Sequence, residues 1–471
     1  MANQVSNIQA KKYVSKKEQA AFYMAALFRN MSYAIMGYLS YFYIDVMGLS
    51  GIALSIILIG SRLWDGVNDP IIGVYFDKRV SSSGKAMPFL RKTAIPLGVL
   101  IIAIFYAPVF SPNPTANMWA RTAYALATYI IFEWLHTLNG ISFMSFYNSI
   151  TPNVQERNKV ISISRLFSEM GTGAIGGVIP IALSFFANDD IVAKTYIYFG
   201  VAVFVGICFI IYNYLIVTYV KERVLLVPIE KQTTKGMFKD FFKNRLLFLM
   251  IVSNAVIALI NAGHTSLWFY TYNLGNPALQ TYVGLTAIPM LALNSILAPY
   301  LMKKFDKNKI VIASRAFHVA VIIIYTLVGY DNLTLVCFFN MLMFLPSMLK
   351  GMLYWSMLSD SIDYLEWRTG ERNDGMVLAI EGFLAKVTGS IGALWTVIIV
   401  SIIKYVPNAA AQSEYTLKGL FYVPNIINIV SLSLSAVPYF FYRFSRADHQ
   451  RILKDLQLRK EDAKKLNIWC G

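Results

Sequence analysis

The chain has 471 residues, of which 56% are hydrophobic and only 14% charged, and its mean hydropathy is +0.52. An ordinary soluble domain carries roughly 25% charged residues, so this composition excludes a soluble fold and predicts an integral membrane protein in contact with the lipid bilayer. The net charge of +16 does not indicate a nucleic-acid partner, because the basic residues are scattered over separate loops instead of forming one basic face.

Twelve apolar stretches, each near the roughly 20 residues needed to cross a bilayer, begin around Ala20, Leu49, Thr93, Met118, Val160, Thr195, Leu246, Pro277, Ile310, Leu333, Met376 and Leu417. The expected class is an all-α membrane protein with twelve transmembrane helices. Lys and Arg are concentrated in alternate connections: Lys78 to Lys92, Lys221 to Arg245 and Lys303 to Lys309 are basic, while Ser111 to Asn117, Tyr272 to Asn276 and Tyr330 to Asn332 hold no Lys or Arg. Basic loops resist translocation, so both termini are expected in the cytoplasm and the protein in the cell membrane. The first nineteen residues are polar, so the first span is expected to act as the insertion signal. Cys208, Cys337 and Cys470 are dispersed and predict neither a disulfide framework nor a zinc cluster.

The longest polar connection falls near the midpoint. It predicts a six-helix bundle over 1–220, a cytoplasmic linker over 221–245, a second six-helix bundle over 246–443 and a cytoplasmic tail over 444–471. Weak internal echoes support a duplication: "QERNKVISISRLFSEMGTGAIGG", containing Arg157, and "GERNDGMVLAIEGFLAKVTGSIGA", containing Arg372, occupy equivalent places in the two halves, as do "GVYFDKR" and "KKFDKNK". Such duplications build transporters whose substrate site lies between repeats.

Charge inside an apolar span is the most informative feature. "RLWDGVNDPIIG" places Asp65 and Asp69 at i and i+4, with Asn68 on the same helical face and Arg62 one turn before. Each such charge costs about 3 kcal/mol on insertion scales. Two carboxylates and an amide supply much of the oxygen shell that a hard cation requires, and a proton could occupy the same place. A purely structural pairing with Arg62 and another basic residue is the competing reading. Further ionisable residues lie in the spans, namely Arg29, Glu133, His136, Arg165 and Glu169, then His264, Arg315, His318, Lys350, Glu381 and Lys386. Their number predicts a water-accessible cavity. No metal-cluster spacing, nucleotide loop or nucleophile elbow is present in the sequence, so neither an enzyme nor a cofactor is expected.

"YFYIDVMGLS" followed by "SRLWDGVNDPIIGVYFDKRVSSSGKAMPFLR", then "ISFMSFYNSITPNVQERNKVISISR" and "LSDSIDYLEWRTGER…AKVTGS", resembles the glycoside-pentoside-hexuronide:cation symporters of the major facilitator superfamily. The resemblance implies a major facilitator fold, a small-molecule sugar or glycoside as substrate, Na+ or H+ as the coupling cation, and a functional monomer. It implies a cation site at Asp65, Asn68, Asp69 and Thr137, with Asp65 and Asp69 as the charged ligands. It places Arg165 and Lys386 along the substrate cavity, and Arg62, Arg157, Asp360, Asp363, Glu366 and Arg372 in a gating charge network. Galactoside-transporting members grip sugar hydroxyls with aspartates on the first and fourth helices; here Arg29 and Gly140 stand at those positions, with Met144 in place of a tryptophan and His136 in place of a tyrosine. That exchange shifts the cavity toward positive charge and predicts an anionic sugar such as a uronide. Transport of an amphiphile such as a lysolipid, or a non-transporting sensor or scaffold role, are the alternatives.

Overall fold

The computed structural model describes residues 12–78, 86–107, 117–186, 190–223, 244–262, 265–370, 374–407, 409 and 411–465. Within these, the side chains of Arg62, Asp65, Asp69 and Lys386 lie outside the described set, as does the whole of Arg372. The described chain is helical throughout. Thirteen long helices follow in order: α1 (Lys16–Met36), α2 (Gly51–Lys78), α3 (Met87–Ile104), α4 (Met118–Ser149), α5 (Val154–Phe186), α6 (Ile191–Tyr219), α7 (Arg245–Leu259), α8 (Ile288–Lys304), α9 (Lys307–Val328), α10 (Leu333–Thr369), α11 (Asp374–Ile402), α12 (Glu414–Phe440) and α13 (Arg446–Lys465).

Local chemistry marks the ends. Ser15 Oγ accepts the Glu18 N–H at 3.2 Å to start α1, Asp190 accepts from Val192 at 2.9 Å to start α6, and Asn244 accepts from Leu247 at 3.1 Å to start α7. Each satisfies a backbone donor that the first helical turn leaves without a partner. Among the described residues, seven helical segments are long and apolar enough to cross a membrane by length and composition. Large apolar side chains such as Ile52 on α2, Trp119 on α4, Ile296 on α8 and Leu327 on α9 are exposed. In water that surface would be unfavourable; against lipid tails it is the matched solvent.

The chain forms two compact units. One comprises 1–230 with 264–281 and 396–417, and the other 231–263, 282–395 and 418–471. In the first, α1 packs against α5 and α6, α3 against α6 and α4, and α2 against α4. Its core is aromatic, with the Phe22 and Phe143 rings stacked at 5.4 Å and Phe143 edge-on to Tyr212 at 5.6 Å. In the second, α10 is the axis, packed by α7, α8, α9 and α13. Leu247, Met250, Leu353, Met357 and Val377 form its interior.

Two stretches of the first unit repeat one another. A single α-turn over Leu39–Tyr41 opens into a π-helix over Phe42–Val46, and Ser266–Trp268 opens into a π-helix over Phe269–Asn273. Each closes on a glycine with positive φ, Gly48 at 66° and Gly275 at 70°, a conformation that side chains disfavour. The sequences "YFYIDVMG" and "WFYTYNLG" match this geometry residue for residue. Isolated π-turns are uncommon and concentrate at functional sites.

Candidate functional site

α1 and α4 bring three of the sequence-predicted substrate residues together. Arg29 is 4% exposed; its Nη2 donates to the Tyr33 hydroxyl at 2.7 Å, and its guanidinium lies over the Phe143 ring at 4.8 Å and the Tyr33 ring at 5.0 Å. Gly140 faces the same guanidinium: a Cβ at that position would sit 3.5 Å from Nη2. His136, one turn before Gly140, meets Tyr33 edge-on at 4.8 Å and stacks on Phe132 at 4.9 Å. A guanidinium over aromatic faces keeps its charge in a dry setting while leaving its in-plane donors directed outward. Met144, one turn further along α4, is exposed, and Arg165 and Glu169 are exposed on α5.

Of the predicted cation ligands, Asn68 on α2 and Thr137 on α4 are both buried, at 3% and 9% exposure, on helices that pack against one another. Asp65 and Asp69 belong to the same α2. α2 is continuous through both positions, and their side chains lie outside the described set. On another side of α4, Asn139 makes a buried knot that sequence reasoning missed: it donates to Thr93 and Asn213, each at 2.8 Å, and accepts from the Tyr212 hydroxyl at 2.8 Å. The knot holds α3, α4 and α6 in register.

The predicted charge network divides. Asp360 pairs with Lys307 at 2.6 Å and with His449 at 3.6 Å, and Asp363 pairs with His449 at 3.1 Å. These contacts fasten α9 and α13 to α10. Trp367 Nε1 donates to Asp455 at 3.3 Å, and Arg459 donates to the Trp367 carbonyl at 2.9 Å, extending the same attachment. Glu366 is buried on α10, and Arg157 stands in the first turn of α5, its N–H bonded to the Asn153 carbonyl at 2.9 Å.

At the end of α1 remote from Lys16 lies a feature absent from the sequence reading. Asp45, fully buried in the first π-turn, accepts from Trp268 Nε1 at 2.6 Å and from the Tyr405 hydroxyl; the Tyr272 hydroxyl lies 3.0 Å from the Tyr405 oxygen, which can accept its proton. The Tyr41 and Trp268 rings meet at 5.7 Å. Arg121 donates to the Met47 carbonyl at 2.8 Å just beyond the turn. One carboxylate thereby ties 264–281 and 396–417 to the first span. The signal that could have revealed it is the "YFYIDVMG" and "WFYTYNLG" pair, aromatic-rich stretches at matching places in each half.

A further cavity, about 310 Å³, lies among α8, α9 and α10 and is lined by Leu297, Leu301, Ile310, Phe317, Pro346 and Leu349. Its apolar wall suits an acyl chain and offers little to sugar hydroxyls.

Comparison with known proteins decides the family. A profile of the MFS/sugar transport protein family matches residues 22–446. The chain belongs to that family. This transporter is 25% identical over 476 residues to the isoprimeverose transporter of Lactiplantibacillus pentosus, covering 97% of this chain and 94% of the relative. It is 26% identical over 457 residues to the uncharacterized symporter YnaJ of Bacillus subtilis, covering 95% and 96%. Among solved structures it resembles that of a D-xylose-proton symporter, with a TM-score of 0.59 at 12% identity over 89% of this chain and 96% of that one. That likeness shows a shared major facilitator fold. The expected kinship with the glycoside-pentoside-hexuronide:cation symporters is borne out, and the protein is a membrane transporter and not an enzyme.

Proposed function

We propose that this transporter carries a sugar or glycoside across the cell membrane together with a cation, Na+ or H+, by alternating access. One observation carries the reading: within a sugar-transport chain, two aspartates at i and i+4 lie on α2 with the buried Asn68, and α2 packs against α4 with its buried Thr137. Carboxylates in a membrane span are costly unless a cation or proton neutralises them, and a coupling ion does so only while it is bound. Asp65 and Asp69 provide the charge, Asn68 and Thr137 the neutral oxygens.

The substrate wall on α1 and α4 consists of Arg29, His136, Gly140 and Met144, joined by Arg165 on α5 and Lys386 on α11. Arg29 in place of a carboxylate supports an anionic sugar, since its planar donors match a carboxylate in bidentate fashion. The organisation that fits alternating access is two six-helix halves, 1–220 and 246–443, joined by the 221–245 linker and followed by the 444–471 tail. The chain acts as a monomer with both termini cytoplasmic. In that orientation the Asp45 clamp is the outer gate, and Arg62, Arg157, Asp360, Asp363, Glu366 and Arg372 form the cytoplasmic latch, its acids exchanging partners as the gate cycles. The test is uptake into proteoliposomes of a panel of labelled glycosides and sugar acids, with and without an inward sodium or proton gradient. Gradient-stimulated accumulation of at least one sugar is the expected result; uptake of none, or uptake that only equilibrates, contradicts coupling.

A further inference from the structure

Between α8, α9 and α10 the second unit leaves space that its own side chains do not fill. α8 and α9 each pack on α10 but touch one another little. Two bonds fix that arrangement. Asn294 of α8, fully buried, donates from Nδ2 to the Leu345 carbonyl of α10 at 2.8 Å, and Lys307 at the start of α9 pairs with Asp360 of α10 at 2.6 Å. Between these tethers lies the cavity of about 310 Å³, walled by Leu297 and Leu301 of α8, Ala313 and Phe317 of α9, and Pro346 and Leu349 of α10. The small side chains of Ala313 and Ser314 keep α9 from closing it.

Packed interiors hold few voids larger than a water molecule, and water in this space would lack the polar partners that retain it. A hydrocarbon chain matches the wall. Phe305, Lys309 and Phe317, which line the cleft, are themselves exposed, so it opens on the outside of the helices. Lys309 and Phe317 are eight residues apart, about 12 Å along α9. That length is close to the roughly 15 Å of hydrocarbon in one leaflet.

The Lys309 end of the cleft is basic. The α8–α9 connection, 303–309, holds four lysines and one aspartate. Lys307 is taken by Asp360, which leaves Lys303, Lys304 and Lys309, all exposed. Lys304 Nζ lies over the Phe305 ring at 5.7 Å, at the rim. Lys309 pairs with Asp306 at 3.0 Å, a solvent-exposed pairing of the kind that holds its partners weakly. Arg446 donates to the Lys303 carbonyl and brings a guanidinium to the same edge. Basic pockets between membrane helices attract anionic lipid head groups, each Lys or Arg adding to the attraction. A soluble anion would leave the apolar wall uncovered, and a zwitterionic lipid would leave the basic rim without its counter-charge.

We infer that the cleft between α8 and α9 holds an acyl chain of one anionic phospholipid, whose phosphate head group rests on Lys304 and Lys309. The lipid fills the gap between the two helices and braces them against α10. It is a resident of the fold and not the transported solute, so the inference is independent of which sugar is carried.

The test uses the full chain in nanodiscs of equal parts phosphatidylglycerol and phosphatidylcholine with matched acyl chains, and native mass spectrometry of the released protein counts the lipids it keeps. Wild type is expected to keep one phosphatidylglycerol, favoured over phosphatidylcholine by about tenfold. The double variant Lys304→Gln, Lys309→Gln still keeps a lipid, with the preference near one. Ala313→Phe fills the cleft, alters no charge and loses the retained lipid of either kind. Ile323→Phe, at an exposed position of α9 outside the cleft, keeps the wild-type count. The two lysines lie at the exposed α8–α9 edge, so their double variant reports even if Ala313→Phe misfolds. No retained lipid or no head-group preference in wild type, a preference that survives the double Gln variant, or a wild-type count in Ala313→Phe would each overturn the site.

Discussion

Asp45 and Trp268 stand 223 positions apart in the chain and are joined by a 2.6 Å hydrogen bond in a fully buried setting. A hydrogen bond to a charged acceptor contributes about 1.5–3 kcal/mol, and Asp45 receives two, from Trp268 and Tyr405. The clamp is therefore strong enough to set the balance between closed and open outer ends, where a few kcal/mol shifts populations by orders of magnitude. Asp45→Asn keeps the shape and removes the charge. Accumulation is expected to fall about tenfold with substrate affinity changed far less, and Trp268→Phe, losing one bond, should fall less. Wild-type uptake rates in Asp45→Asn would show that the clamp does not gate.

Arg29 and Gly140 make a second, more local prediction. Because a Cβ at position 140 would lie 3.5 Å from the Arg29 Nη2, Gly140→Asp places a carboxylate where it can pair with that guanidinium. Binding of any acidic ligand that uses Arg29 should weaken by about tenfold or more, whereas Gly140→Ala should change it little. Unaltered affinity in Gly140→Asp, measured by calorimetry, would mean that Arg29 does not face the ligand.

The attachment of α13 has a pH signature. Asp448 is held below the usual carboxylate range by the Ser445 hydroxyl and by the Ser445 backbone N–H, and Asp306 by Lys309 and the backbone N–H of Arg446. A depressed carboxylate stabilises above its unfolded pKa, about 3.9, and that contribution is lost as pH falls through the lower folded value. Protection factors over 446–465, with the intrinsic exchange rate at each pH divided out, should therefore hold from pH 8 to pH 5 and fall only below about pH 4. Protection already lost between pH 7 and pH 5 would contradict this account.

Much of the architecture was legible because the bilayer imposes a coarse rule: apolar runs of sufficient length, and basic loops on one side. The α2 charges were legible for the opposite reason, as they break the rule inside one span. The proximity of Arg29, His136 and Gly140 followed from the family resemblance, and α1 and α4 do bring them together. Asp45 was not legible as a clamp, because a carboxylate at a span end is unremarkable and its partners Trp268 and Tyr405 lie 223 and 360 positions away. The inclusion of 264–281 and 396–417 in the first unit was equally hidden, since nothing in a linear hydropathy pattern says which span ends meet. Arg315 was visible as a buried charge, but its neutral partner Ser253 on another helix could come only from the fold.

The coupling claim itself is tested by replacing one carboxylate at a time on α2. Asp69→Asn and Asp65→Asn each remove one negative charge from the helix that carries Asn68 while leaving α2 intact, and proteoliposomes of the variants and wild type are compared for sugar accumulation under an imposed sodium or proton gradient. The account predicts that wild type concentrates the sugar against its gradient, and that both variants insert normally and bring the sugar at most to equilibrium. Gradient-driven accumulation at the wild-type level in both single variants would show that the aspartates only balance neighbouring basic residues, and would contradict it.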